Sequence, residues 1–110
     1  MISKELLSEV LGFGVYQSIR KDEYAYNDVK LNIINTELLY NYVNIYELAH
    51  KCKEWAFANG YYLTIYNDAI DVVLQSNCKI LENVTNDNFM YDPNLVFKAC
   101  QWILDNKGNK

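Results

Sequence analysis

The sequence predicts an α+β fold in which three helices flank a mostly antiparallel sheet. Three observations predict it. Three segments open with helix-capping residues and carry apolar stripes at helical spacing. The segments between them alternate apolar and polar residues. The links between alternating segments have hairpin length, shorter than the crossovers that parallel strands need.

The first helix spans about 3–11. Ser3 is a good N-cap, and Ile2 and Leu7 are placed to staple the chain around it. Leu6, Leu7, Val10 and Leu11 form a narrow apolar stripe, and Gly12 is a stop. Strand-like patterns follow over 13–20 (with GVYQSI) and 24–33, where Asn27-Asp28 marks a kink or turn. The segment 36–43 suits helix and strand alike. The second helix spans about 44–59. Asn44 caps it, Glu47 completes a capping-box-like pair, Val43 and Leu48 can staple it, and Asn59-Gly60 ends it. Segments 61–66 and 70–74 alternate cleanly around Asn67-Asp68. They read as a hairpin with Leu63, Ile65, Ile70, Val72 and Leu74 on one side. A further strand is expected over 78–84 and an irregular loop over 86–91. The third helix spans about 92–106, with Asp92 as cap and Pro93 in the first turn.

A chain of 110 residues, 51% hydrophobic and 15% aromatic, can build one domain with a real core. Its net charge of −4 and single arginine are a poor match for a phosphate backbone, so direct nucleic-acid binding is not expected. No apolar run approaches the roughly 20 residues that span a bilayer. The start, MISKELLSEVLG, lacks the pattern of a signal peptide. Cys52, Cys78 and Cys100 are odd in number and far apart, and read as reduced thiols in a cytoplasmic protein.

The chain's one histidine lies two residues from a cysteine, in NIYELAHKCKEWAFANGYYLTIY. On a helix, successive residues turn by about 100°, so His50 and Cys52 point roughly 200° apart and cannot share an ion. Helical ligand pairs sit three or four residues apart. Cys52 falls on the core stripe with Ile45, Leu48, Ala49, Trp55 and Ala56, and His50 falls near Glu54 on another side. No nucleophile elbow, phosphate loop, dinucleotide fingerprint or paired-cysteine motif occurs, so no enzyme, metal or cofactor is expected.

Partner surfaces are more promising. Tyr46, His50, Lys53 and Phe57 form a second stripe on the second helix, mixing aromatic and polar groups as interfaces do. The third helix is apolar over an arc wider than one sheet face requires, including Phe97 and Trp102. The excess predicts cover on two sides, from the N-terminal helix or from a second subunit in a homodimer. Ten tyrosines, mostly before residue 67, suit a recognition surface.

SKELLSEVLG, NIYELAHKCKEWAFANGYYLTIY and DPNLVFKACQWIL resemble the opening helix, central helix with following strand, and closing helix of the phage ABA sandwich domain family. The resemblance implies a three-layer α/β/α sandwich and a phage or prophage origin, with no catalytic residues to carry over. NVTNDNFMYDPN is longer and more aromatic than the family's connection at that place. Small phage accessory proteins commonly act by binding. The resemblance therefore implies a counter-defence role in the bacterial cytoplasm, the first version being sequestration of a nucleotide immune signal. Arg20, Tyr24 and Tyr26 would supply charge and stacking, with Asn88, Phe89 and Tyr91 beside the N-terminus of the third helix. The alternatives are a protein inhibitor of a host defence nuclease or CRISPR effector, and a structural or housekeeping phage protein.

Overall fold

The computed structural model describes residues 2–11, 15–17, 22–27, 40–85 and 92–107. Its elements in chain order are α1 (Lys4–Leu11), β1 (Val15–Gln17), β2 (Glu23–Asn27), β3 (Tyr40–Asn44), α2 (Ile45–Ala58), β4 (Tyr61–Ile65), β5 (Ala69–Leu74), β6 (Ile80–Thr85) and α3 (Pro93–Asn106). The class is α+β, as predicted, with three helices and antiparallel strand pairs among the described residues. The strands divide between two sheets, β1-β2-β3 and β4-β5-β6.

The helix caps form as the capping residues dictate. The Ser3 hydroxyl accepts from the Leu6 amide at 3.1 Å, Asn44 Oδ1 from the Tyr46 amide at 2.8 Å, and Asp92 Oδ1 from the Asn94 amide at 2.9 Å. Each fills one of the amide positions that a helix start leaves without a backbone partner. The staple residues Ile2, Leu7, Val43 and Leu48 are all buried. At the other end of α2, Gly60 takes φ +94°, a conformation that side chains disfavour, and turns the chain directly into β4.

β3 makes the described part of the ambiguous segment, 40–43, a strand that pairs with β2 from Glu23↔Asn44 to Asn27↔Tyr40, and residues 36–39 lie outside the described residues. The hairpin forms around Asn67-Asp68, with Leu63 opposite Val72 and Ile65 opposite Ile70. Ile70 and Val72 are fully buried, and Leu63, Ile65 and Leu74 pack against the same core. The last strand starts later than the pattern indicates. Cys78 is exposed in the turn before β6 at φ 58°, where its amide bonds the Leu74 carbonyl at 2.9 Å.

The core lies where α2 and α3 pack on each other and onto the second sheet, α2 against β4 and α3 against β5 and β6. Leu48, Cys52, Leu95, Val96, Cys100 and Ile103 are fully or almost fully buried there. α1 contacts both long helices. Ser3 donates to Gln101 Oε1, and Lys107 meets Glu9 at 3.6 Å while its ammonium lies 5.5 Å from the Trp55 ring centre. From the first sheet, the buried Tyr24 ring meets Phe97 edge-on at 6.3 Å. The wide apolar arc of α3 thus has cover on more than one side from its own chain.

Candidate functional site

The α2 stripe singled out by spacing faces solvent in this chain. Tyr46 and Phe57 are 57% and 58% exposed, and Lys53 is half-buried. His50 Nε2 lies 3.3 Å from Glu54 Oε1, with both side chains about two-thirds exposed. This placement follows from the helix period: Leu48, Cys52 and Trp55 take the inward stripe, leaving positions 46, 50, 53 and 57 outside. Cys52 is fully buried, and the Cys100 thiol reaches its carbonyl oxygen at 3.4 Å. The thiol of Cys100 is pushed well above the ordinary range, first by its contact with the Cys52 side chain and then by burial. A thiol so placed is a poor nucleophile.

Phe57 links this stripe to a second exposed surface. Its ring centre lies 5.7 Å from that of Tyr62 on β4. Tyr62 stands opposite Val73 on β5, and Val73 stands opposite Ile80 on β6. Tyr62 is 44% and Ile80 58% exposed, and neither belongs to the core. Next to this apolar row lies a polar one, Thr64, Asp71 and Asn83, in register. The Asp71 carboxylate accepts from Asn83 Nδ2 at 2.7 Å and from the Tyr66 hydroxyl at 3.4 Å. Spacing alone pointed to the α2 stripe and missed this sheet face, although the alternation in YYLTIY already separates Tyr62 and Tyr66 from Leu63 and Ile65.

Of the residues expected to hold a nucleotide, two, Tyr24 and Tyr26, fall among the described residues. Tyr24 is buried against Phe97, and that burial raises its hydroxyl pKa above the ordinary value. Its ring is therefore used inside the chain rather than offered for stacking. The backbone of Tyr26 pairs with Val15 and Asn41 in the first sheet. Arg20, Asn88, Phe89 and Tyr91 lie outside the described residues. Of the two α3 residues expected at a partner interface, Phe97 is buried in the chain's own core and Trp102 is half-buried against it.

One cleft opens near the start of α3, about 220 Å³ in volume and lined by Ile2, Ser3, Asn94, Phe97, Lys98 and Gln101. Most of its polar groups already have partners: Ser3 with Gln101, Asn94 with Asp92 at 3.1 Å, and Gln101 with Asp105 at 2.9 Å. Lys98 supplies an exposed cation. Among the described residues, no group of three or more His, Cys, Asp or Glu side chains gathers as metal ligands do. Nor is any helix among them long and apolar enough to cross a membrane.

No protein-family model matches the chain, and neither does any curated protein or solved structure.

Proposed function

We propose that this protein acts by binding another protein, through the α2 stripe of Tyr46, His50, Lys53 and Phe57. The observation that carries this reading is the exposure of Tyr46 and Phe57 on one helical face, on either side of the polar pair His50 and Lys53. Aromatic side chains with polar neighbours are the composition of protein interfaces, and they contribute disproportionately to affinity. The net charge of −4 favours a basic partner surface. In the phage setting implied by the resemblance of α1, α2 and α3, that partner is a host defence nuclease or CRISPR effector with a basic channel. The chain would then be a non-catalytic inhibitor acting in the bacterial cytoplasm.

The cleft beside α3 supports a second reading, sequestration of a nucleotide-type signal, with Lys98 facing an anionic group. Its size weighs against it, since 220 Å³ lies below the roughly 300–1,000 Å³ of ordinary ligand pockets. The test is affinity capture from bacterial lysate with the wild-type chain and with a Tyr46→Ala, Phe57→Ala variant. Recovery of a nucleic-acid-processing enzyme by the wild type alone supports the inhibitor. A nucleotide released from the purified protein by heating, with no protein captured, replaces it by the second reading. Equal capture by both proteins removes the α2 stripe from the proposal.

A further inference from the structure

We infer that Cys52 and Cys100 are a redox-active dithiol, which a small-molecule disulfide such as oxidised glutathione converts into a disulfide bond tying α2 to α3. The inference does not depend on the α2 stripe, which lies on another side of that helix from Cys52. The two residues are 48 apart in sequence, yet the Cys100 thiol reaches the Cys52 carbonyl oxygen at 3.4 Å across the interface of the two helices. It also touches the Cys52 side chain, and that contact, followed by burial, holds the Cys100 thiol protonated. Cys78, exposed in the turn before β6, takes no part.

The packing around the pair brings the two backbones close. Ala49, Cys52 and Ala56 on α2 and Ala99 and Cys100 on α3 are fully buried. Small side chains at a helix crossing hold the axes at the short end of the usual range of about 8–10 Å. Cα atoms sit about 2.3 Å from a helix axis, so facing Cα atoms at such crossings come within roughly 3.5–5.5 Å. A disulfide takes Cα separations of roughly 4.4–6.8 Å, which a small offset from the line of contact supplies.

The exchange runs in two steps. One cysteine, as thiolate, attacks a sulfur of oxidised glutathione; the glutathione S–S bond breaks, one glutathione thiolate leaves, and a mixed disulfide forms. The other cysteine thiolate then attacks the protein sulfur of that mixed disulfide and expels the second glutathione thiolate. The chain is oxidised by two electrons, the glutathione disulfide is reduced by two, and the two thiol protons end on the two glutathiones released. Neither cysteine meets solvent in the closed fold, so the first step waits for α2 and α3 to part, in local opening or during folding. Reclosure sets the second thiol against the first and drives the second step. The product closes a loop over those 48 positions and restricts the unfolded chain, so the stability of this protein follows the redox state of its surroundings.

The test uses the full chain carrying Cys78→Ser, which removes the exposed thiol. The chain is unfolded in urea and refolded in a mixture of oxidised and reduced glutathione. Native chain is incubated in the same mixture in parallel and should reach the same product more slowly. Intact mass, peptide mapping without reductant, and thermal melts followed by far-UV circular dichroism are the readouts. The expected product is lighter by two hydrogens and yields a linked peptide pair holding Cys52 and Cys100. Its melting temperature should rise by at least about 5 °C, a gain that dithiothreitol removes. Cys52→Ala and Cys100→Ala, treated in the same way, should show no such gain. A chain left with both thiols free, or with glutathione on both, overturns the inference. So does a Cys52–Cys100 bond that leaves the melting temperature unchanged or lowers it, because the folded geometry then does not accommodate the bond.

Discussion

Replacing Cys52 with Asp puts a carboxylate where no solvent reaches, between α2 and α3. The size of the effect is bounded. A free Asp has a pKa near 3.9, and the folded chain can always avoid burying the charge by keeping the proton. At pH 7 that costs about 1.4 kcal/mol for each of roughly three pH units, or ~4 kcal/mol in all. Losing the contact with the Cys100 thiol and burying a polar acid adds about 1 kcal/mol. A domain of this size has only about 5–15 kcal/mol of stability, so the variant should lose a third of it or more.

The pH dependence follows with a definite sign. Burial raises the folded pKa of the new Asp, while the unfolded chain releases its proton near pH 3.9. Between those two values the unfolded state gains stability with pH, by about 1.4 kcal/mol per unit. The deficit therefore falls from ~5 kcal/mol at pH 7 to the pH-independent part of about 1 kcal/mol below about pH 4. Urea unfolding followed by tryptophan fluorescence measures it, because Trp55 and Trp102 both lie against the core. Cys52→Ala is the reference, since it removes the thiol and adds no charge. His50→Ala, two residues away but two-thirds exposed, should change stability by less than about 0.5 kcal/mol. A Cys52→Asp variant matching Cys52→Ala at pH 7, or a difference flat with pH, would refute the placement of Cys52 in the core.

Two turn positions should respond in opposite directions. Gly60→Ala places a side chain at φ +94° where a Cβ would meet nothing, so only backbone strain acts; thermal melts should show a loss of about 1–2 kcal/mol. Cys78→Gly relieves the same strain at φ 58° in an exposed turn, and should gain about 0.5–1 kcal/mol in the same melts after the added unfolded-state entropy is subtracted. At alkaline pH the raised Cys100 thiol stays protonated in the folded chain while the unfolded thiol ionises near pH 8.5. Stability should therefore fall above that pH by up to about 1.4 kcal/mol per unit in urea titrations, and Cys100→Ala should flatten the slope between pH 8.5 and 10.

The helices were legible because their signals are local. Ser3, Asn44 and Asp92 each bond an amide two or three residues on, so the caps depend on nothing distant. The inward position of Cys52 and the outward one of His50 follow from the helix period alone. β3 was not legible for the same reason in reverse. NYV and its neighbours become strand because β2 offers them partners, from Tyr24 opposite Val43 to Asn27 opposite Tyr40, and no residue within the segment announces that pairing. The fate of Tyr24 is also tertiary: a tyrosine near a lone arginine reads as a stacking platform until Phe97, far along the chain, covers it.

The sheet-face row depends on a register that no single strand carries. From Thr85 to Glu82, β6 pairs residue for residue with β5, ending at Val72↔Glu82. Unbroken pairing would next set Leu81 opposite Val73 on the outer face and Ile80 opposite Leu74 on the inner one. The register instead shifts between Val72 and Val73, so that Ile80 stands opposite Val73. Because strand side chains alternate with period two, one extra residue exchanges the faces of everything beyond it. Leu81 accordingly packs with the core while Ile80 is 58% exposed. The bulge therefore completes the core with Leu81 and, in the same step, adds the third member of the Tyr62–Val73–Ile80 row.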